Sequence, residues 1–418
     1  MTVLFKKWYH VPMYLNGSNW KMTKKPRQRS KPWRIIFLLV LIAGVVYFNQ
    51  TVVPTTDPLF IPTPTPTVNP ESYKTKAEAL FQEGKLNQSI AAYKDAIRAN
   101  PEDSSLYVAL SRTQILAGKP EAALENAELA LLRNPENPNA HIMKAWALDF
   151  LDQVLEAEAV IEKALNLANQ NALAHAVYAE ILIDNQKYEQ ASAESLTALE
   201  LGPNLLETHR ARGYVLYWTG NYQEAIREYQ RALNINNAIP NLHLMLGYCY
   251  FAENQNDQAV NSFSQANALD PTNPVPDYEI SRIYLLDGLY NKAIQYASLA
   301  VEDQPTDPLL QGNLGVLYAR NREYEKALEH LKLAVQGGKT EDEQVVEGIP
   351  LSYKPRVIEI FSSYGLTLAR TNRCEQAVQI FQTMLSQVAE NEIAVINANE
   401  GLRICQEGLE TPTPSPQP

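Results

Sequence analysis

Four histidines stand at equal spacing: His141, His175, His209 and His243, each 34 residues after the last. Imidazoles are common metal ligands, so the first chemistry to weigh is a zinc site, where each ring brings a nitrogen to about 2 Å from one ion. The spacing argues against it. Side chains at one position of successive stacked helix units lie roughly 10 Å apart, so two units cannot share an ion. These histidines are assigned to packing, with no metal and no cofactor expected. Motifs for phosphate binding and nucleophilic catalysis are missing from the chain: it has no G-x-x-x-x-G-K-[ST], no G-x-S-x-G and no H-E-x-x-H. Glu121, Glu189, Glu224 and Glu325 recur near the starts of second helices, where a carboxylate complements the positive end of the helix dipole. Of three cysteines, Cys249 reads as a small buried side chain, while Cys374 and Cys405 are candidates for a disulfide.

What must position these residues is set by a ladder of alanines. Ala123, Ala157, Ala191, Ala225, Ala259, Ala293 and Ala327 recur every 34 residues, and seven residues past each stands Ala130, Ala164, Ala198, Ala232, Ala266, Ala300 or Ala334. With a first unit at Pro70, further units begin at Ser104, Pro138, Ala172, Leu206, Pro240, Pro274 and Pro308 without an insertion. Positions 20 and 27 are thus small throughout. Position 8 is small too (Ala77, Ser111, Gly213, Gly247), which lets a neighbouring backbone approach the first helix. Position 24 is bulky in most units, as at Tyr93, Ile161, Tyr229 and Phe263. Pro101, Pro135, Pro203, Pro271 and Pro305 end the second helix at position 32, since proline cannot continue it. Turn signals such as Gly220-Asn221-Tyr222 and Gly288-Leu289-Tyr290 separate the two helices of a unit. Such regularity is the mark of a solenoid, each unit burying its apolar face on the next.

The unit resembles the tetratricopeptide repeat. Residues 206–237 carry that pattern most fully, in Gly213, Tyr217, Gly220-Asn221-Tyr222, Glu224-Ala225-Ile226, Tyr229 and Ala232-Leu233. Departures are mild: position 4 is never the family's Trp, and Asn169, Asn237 and Lys339 replace the closing proline. The resemblance implies an all-α fold, an α-α superhelix of about nine helix-turn-helix repeats with a C-terminal capping helix. It also implies a ligand face. In that family positions 2, 5, 9, 12 and 13 of the first helix tend to line the concave surface. Carried over, this marks Trp146, Phe150, Tyr214, Tyr217, Trp218, Tyr248, Phe251 and Tyr278, with Arg112, Arg210, Arg282 and Arg320 on the same face. The family's Lys and Asn pattern for clamping a terminal carboxylate is missing, since Tyr214 and Tyr248 occupy position 9. Aromatic rings and arginines suit an extended peptide, or sugar rings stacked on the aromatics. The alternative is that several of these rings pack between adjacent helices.

Residues 1–34 hold nine Lys or Arg and no acid, leaving 27 basic against 47 acidic side chains in the rest of a chain whose net charge is −11. So acidic a body has no basic field for phosphates, which argues against nucleic acid. Ile35 to Phe48 is wholly apolar, and Trp33 with residues 49–53 can complete a membrane span at the interfaces. A cleaved signal peptide is the rival, but the leader is long for one and no small-x-small pair follows Phe48. Because the cations precede the span, the N-terminus is expected in the cytoplasm and the repeats outside it, as in a single-pass cell-membrane protein. Met22 is a more ordinary start for such a leader.

The organisation expected is a basic cytoplasmic leader (1–34), a transmembrane anchor (35–53), a Pro/Thr-rich linker (54–70) and repeats 1 to 8 (71–341). An insertion (342–357), a ninth repeat (358–391), a capping helix (392–409) and a Pro/Thr-rich tail (410–418) follow. The linker favours polyproline II and holds the repeats off the membrane. The insertion reads either as a tolerated surface loop or as a ligand lid carrying Tyr353 and Arg356. Cys374 and Cys405 are almost equidistant from the turn near Ala389 and Glu390, so antiparallel helices would bring them level, and an oxidising compartment would favour the bond.

These readings point to a non-enzymatic, membrane-anchored scaffold that binds a peptide or protein in its groove, with carbohydrate as an alternative ligand. A factor for assembly or secretion of envelope proteins or polysaccharide is the second reading. The substrate-recruiting part of an enzyme is the third, disfavoured because repeats, cap, linker and anchor consume nearly the whole chain. An exported chain with a Thr-Pro spacer looks bacterial.

Overall fold

The computed structural model describes residues 32–52 and 70–410; most of the leader, the linker and the tail lie outside the described residues. The chain divides into two units, residues 1–67 and 68–418. In the first, α1 (Pro32–Tyr47) continues into one π-helical turn (Phe48–Val52). The stretch Pro32–Gln50 is long and apolar enough to cross a membrane, a property shared by spans and signal sequences, and none of it is buried.

The second unit is a run of helix pairs. Repeats 1 to 4 are α2 (Pro70–Gln82) with α3 (Leu86–Ala99), α4 (Ser104–Leu116) with α5 (Pro120–Arg133), α6 (Pro138–Phe150) with α7 (Val154–Leu167), and α8 (Ala172–Asp184) with α9 (Tyr188–Leu201). Repeats 5 to 8 are α10 (Leu206–Trp218) with α11 (Tyr222–Ile235), α12 (Pro240–Ala252) with α13 (Asn256–Leu269), α14 (Val275–Leu286) with α15 (Tyr290–Asp303), and α16 (Pro308–Arg320) with α17 (Tyr324–Gln336). A short antiparallel hairpin, β1 (Gly338–Lys339) and β2 (Val345–Val346), precedes α18 (Pro355–Arg370), α19 (Cys374–Gln387) and the cap α20 (Glu392–Glu410).

The same contacts recur in each unit. Position 20 and position 27 alanines are at most 1% exposed from Ala123 to Ala334, so helix pairs meet at backbone distance. Position 8 admits the backbone expected in some repeats, as where a Cβ on Gly315 would come to 2.9 Å from the Leu331 nitrogen, and a ring in others. A Cβ on Gly213 would come to 3.0 Å from the Tyr229 ring, on Gly247 to 2.6 Å from Phe263 and on Gly365 to 2.5 Å from Phe381, each the position 24 side chain of the same repeat. Position 4 ties each repeat to the one before. Nε2 of His141, His175, His209 and His243 donates to the carbonyls of Pro135, Asn169, Pro203 and Asn237 at 2.9, 3.0, 2.9 and 2.8 Å, and Gln311 repeats the bond to Pro305. The histidines thus satisfy backbone carbonyls at repeat junctions. Asp103, Asn137, Asn171 and Asp307 cap the next first helix through the backbone N–H groups of its opening residues.

Position 15, in the turn between paired helices, has positive φ in all nine repeats. Glycine fills it at Gly84, Gly118, Gly220 and Gly288, but Asp152, Gln186, Asn254, Arg322 and Asn372 adopt it with a side chain.

The register breaks at Gly337 and α18 begins at Pro355, so residues 355–357 belong to the ninth repeat's first helix rather than to the insertion. The loop is held down: Val346 is 2% exposed and the Ile349 N–H donates to the Ala334 carbonyl. Cys374 and Cys405 are bonded, their Cα atoms 5.5 Å apart, which clamps the cap to α19.

The coil also closes on itself. Asn236, 4% exposed, donates its Nδ2 to the Phe81 carbonyl at 2.9 Å, and Arg112 Nε meets Glu207 Oε1 at 2.6 Å. Gly84 lies so near Ala238 that a Cβ there would overlap the alanine methyl. One buried cluster therefore runs from Phe81 and Leu86 through Trp146 to Ile239 and Leu242, joining repeats 1 and 2 to repeats 5 and 6.

Two outcomes follow from these contacts. Positive φ costs a side-chain residue about 1–2 kcal/mol, and glycine's unfolded-state entropy offsets roughly half. Gln186→Gly and Arg322→Gly should therefore each raise denaturant stability by about 0.5–1 kcal/mol; a loss would refute the assignment. The bridge closes a 31-residue separation, an effect of about 3–4 kcal/mol on chain entropy. Reduction should speed hydrogen exchange across α20 and leave repeats 2 to 5 protected, because solenoids fray from their ends.

Candidate functional site

The first helices carry their positions 5, 9, 12 and 13 on one inner face, and two clusters form there. In the first, Trp146 Nε1 and Arg210 Nη1 both donate to Glu180 Oε2, at 3.0 and 2.8 Å, and the Tyr214 hydroxyl donates to Asp184 Oδ1 at 2.6 Å. The Arg210 guanidinium also lies 5.0 Å from the Trp146 ring centre and 5.3 Å from that of Phe150. All of these but Trp146, with Asp149, Tyr229, Asn241 and Met245, line a cavity of about 200 Å³. Three carboxylates share it with one guanidinium.

Burial dominates the electrostatics. Loss of solvent, then the nearby Asp184 and Glu180 charges, push the Asp149 carboxyl up to about 8 against the pull of Arg210. Burial likewise pushes Glu180 up to about 7, although Arg210 and the Trp146 N–H oppose it. Asp184 is raised by burial while the Tyr214 hydroxyl lowers it.

The second cluster is aromatic. Trp218 is 53% exposed and meets Tyr214 and Tyr217 edge-on, with ring centres 6.2 and 5.7 Å apart. Tyr217 continues to Tyr248 at 6.4 Å, whose hydroxyl donates to Glu279; Glu279 in turn pairs with Arg282 at 2.6 Å. Arg282 lies over Phe251 and Tyr278, and Arg356 lies over Tyr278 from the far side of the insertion while bonding Asn313 and Glu359. Arg320 is exposed and pairs with Glu359.

The residues marked from sequence thus separate into groups. Phe150, Tyr214, Tyr217, Trp218, Tyr248, Phe251, Tyr278, Arg282 and Arg320 are half-buried or exposed along the inner face. Trp146, 0% exposed, and Arg210, 7% exposed, are a correction: stacked on each other and bonded to the same Glu180 oxygen, they are buried rather than free to meet a partner. Arg112 is committed to Glu207 across the coil. Asp149, Glu180 and Asp184 were missed, although positions 12, 9 and 13 of repeats 3 and 4 fall under the same face rule and would have marked them. Tyr353 is exposed, whereas Arg356 reaches the groove. Among the described residues no group of three or more His, Cys, Asp or Glu could hold a metal ion.

Two family models, each described as tetratricopeptide repeat, match the chain, one at residues 80–147, 219–278 and 250–312 and the other at 138–171. The chain carries tetratricopeptide repeats. Among solved structures, the Cut9-Hcn1 hetero-tetramer of the APC/C is similar at 18% identity, with a TM-score of 0.53 over 62% of this chain and 51% of that one. This chain therefore spans about half the length of that structure. A tetratricopeptide repeat protein from Parabacteroides merdae matches at 18% identity and a TM-score of 0.39, over 59% of this chain and 97% of that one. YrrB, a tetratricopeptide repeat protein with an unusual peptide-binding site, matches at 24% and 0.33, over 44% and 94%.

The raised carboxyls make stability depend on pH. Between the ordinary carboxylate range near pH 4 and about pH 8, the folded array keeps protons that the unfolded chain has released, so stability falls as pH rises through that window. Asp149→Asn holds no such proton and should flatten the fall in Tm between about pH 5 and pH 8. An unchanged slope would mean that Asp149 is ionised in the folded chain.

Proposed function

We propose that this repeat array is a membrane-anchored scaffold whose concave face takes an extended segment of a protein partner. The carrying observation is the run of touching rings Tyr214, Trp218, Tyr217 and Tyr248, followed by Phe251 and Tyr278 around Arg282, in which a tryptophan stays 53% exposed. A large exposed ring on a rigid concave wall is the usual anchor of an interface. Carboxylates outnumber the one guanidinium beside the strip at repeats 3 and 4, whereas Arg282, Arg320 and Arg356 beyond it are paired with Glu279 and Glu359.

The same reading places the repeats outside the cytoplasm. Its support is the apolar stretch Pro32–Gln50 behind a wholly basic leader, together with the Cys374–Cys405 bond, which persists in oxidising compartments.

Two measurements check this. Crosslinking in membranes, followed by identification of bound species, should give a protein adduct that Trp218→Ala reduces several-fold while Tm stays nearly constant. A carbohydrate adduct would redirect the reading to sugar stacking, and undiminished capture would remove Trp218 from the interface. Protease added to intact cells stripped of their wall should digest the repeats and spare the leader; protected repeats would reverse the orientation.

A further inference from the structure

We propose that the cavity bounded by Asp149, Asp184 and Tyr229 binds a cationic nitrogen head, the guanidinium or ammonium of an arginine or lysine side chain on the partner segment. This rests on the groove reading and states what the partner must carry. Asp149 Oδ1, Asn241 Oδ1 and the Tyr229 hydroxyl are buried atoms of the cavity wall without a hydrogen-bond partner in the protein. Asp149 is 8% exposed and Tyr229 0%. Asn241 Oδ1 only accepts, Asp149 Oδ1 accepts once its carboxyl has released its proton and the hydroxyl can accept, so their complement is a group with several N–H donors.

Charge selects among such donors. Glu180 is taken by Arg210 and Trp146, and Asp184 by Tyr214, which leaves Asp149 Oδ1 as the unpaired carboxylate oxygen beside a single internal cation. A neutral amide would fill the acceptors and leave the excess of negative charge; an ammonium or guanidinium answers both. Phe150, 39% exposed, and Tyr214 line the same cavity and add ring faces suited to a cation. About 200 Å³ accommodates such a head with its adjoining methylenes but no folded segment.

Asp149 faces Asp152 at the end of its own helix, Glu180 and Asp184 on α8, and Arg210 on α10, and in this company it holds a proton near neutral pH. An entering cation displaces that proton. Binding therefore releases a proton and tightens as pH rises toward about 8.

The test is calorimetry on the full chain in detergent, in two buffers of different ionisation enthalpy. The probes are Nα-acetyl-arginine methylamide, its lysine and norleucine counterparts, and a capped Gly-Ser-Arg-Ser-Gly peptide beside its glutamine version. The cationic probes should saturate with proton release, the norleucine probe should not bind, and Asp149→Asn should weaken binding by about tenfold or more. Tyr229→Phe, which keeps the ring packed on Gly213, should weaken it less. Binding of the arginine amide without the peptide would assign the cavity to a free small cation. No saturable cation binding, or equal binding by Asp149→Asn, overturns the site. If that result comes with a Trp218-dependent partner adduct, the groove reading survives and only the cationic pocket falls.

Discussion

Everything in the repeat array depends on how closely two helices of one unit can approach. Position 8 gives up its side chain so that the position 24 side chain can press against the helix, as Tyr229 does on Gly213 and Phe381 on Gly365. Fully buried alanines at positions 20 and 27 extend the contact, and the recurring turn at position 15 fixes where the chain reverses. Because this geometry repeats without insertion over eight units, small angular offsets accumulate in one direction and the stack bends into a coil.

The coil bends far enough for its first turn to meet itself. Contacts of Asn236 with Phe81 and of Glu207 with Arg112 are of very long range in sequence, and they join repeats 1 and 2 to repeat 5 in one buried cluster that includes Trp146. That burial accounts for the electrostatics of the cavity. Carboxyls at Asp149 and Glu180 that would ionise freely on an open groove are raised by lost solvation, and Arg210 meets only part of their charge. At the other end of α10 from Glu207, Trp218 remains exposed and the aromatic strip is accessible.

Local rules made much of this legible. The 34-residue frame and the helix pairing follow from spacing, whereas the facing of positions 5, 9, 12 and 13 is what the resemblance to the tetratricopeptide repeat implies. What spacing does not carry is whether a face is later covered. Trp146 obeys the same position rule as Tyr214, yet one is core and the other half-buried, because the side chains that Trp146 meets, Glu180 one repeat on and Arg210 in the repeat after, cover it. The three acids stand at equally marked positions, but a carboxylate on a solvated helix face is so common that nothing in its sequence context sets these apart before burial does. The early start of α18 was hidden by Pro355, which opens that helix at a point where the repeat frame alone places its start at Ile358.

Closure of the coil is the claim on which the buried cavity and its charge balance rest, and a distance across it tests the claim most directly. Asn87 of repeat 1 and Thr272 at the end of repeat 6 are exposed residues on opposite walls of the same cleft. Spin labels at Asn87→Cys and Thr272→Cys, with Cys249 buried and Cys374 bonded to Cys405, should give one narrow distribution at short range by pulsed dipolar spectroscopy. A stack that ran open at roughly 10 Å per repeat would separate the same labels by about 50 Å. A distribution centred near that longer distance would contradict closure and return Trp146 and Arg210 to an open groove.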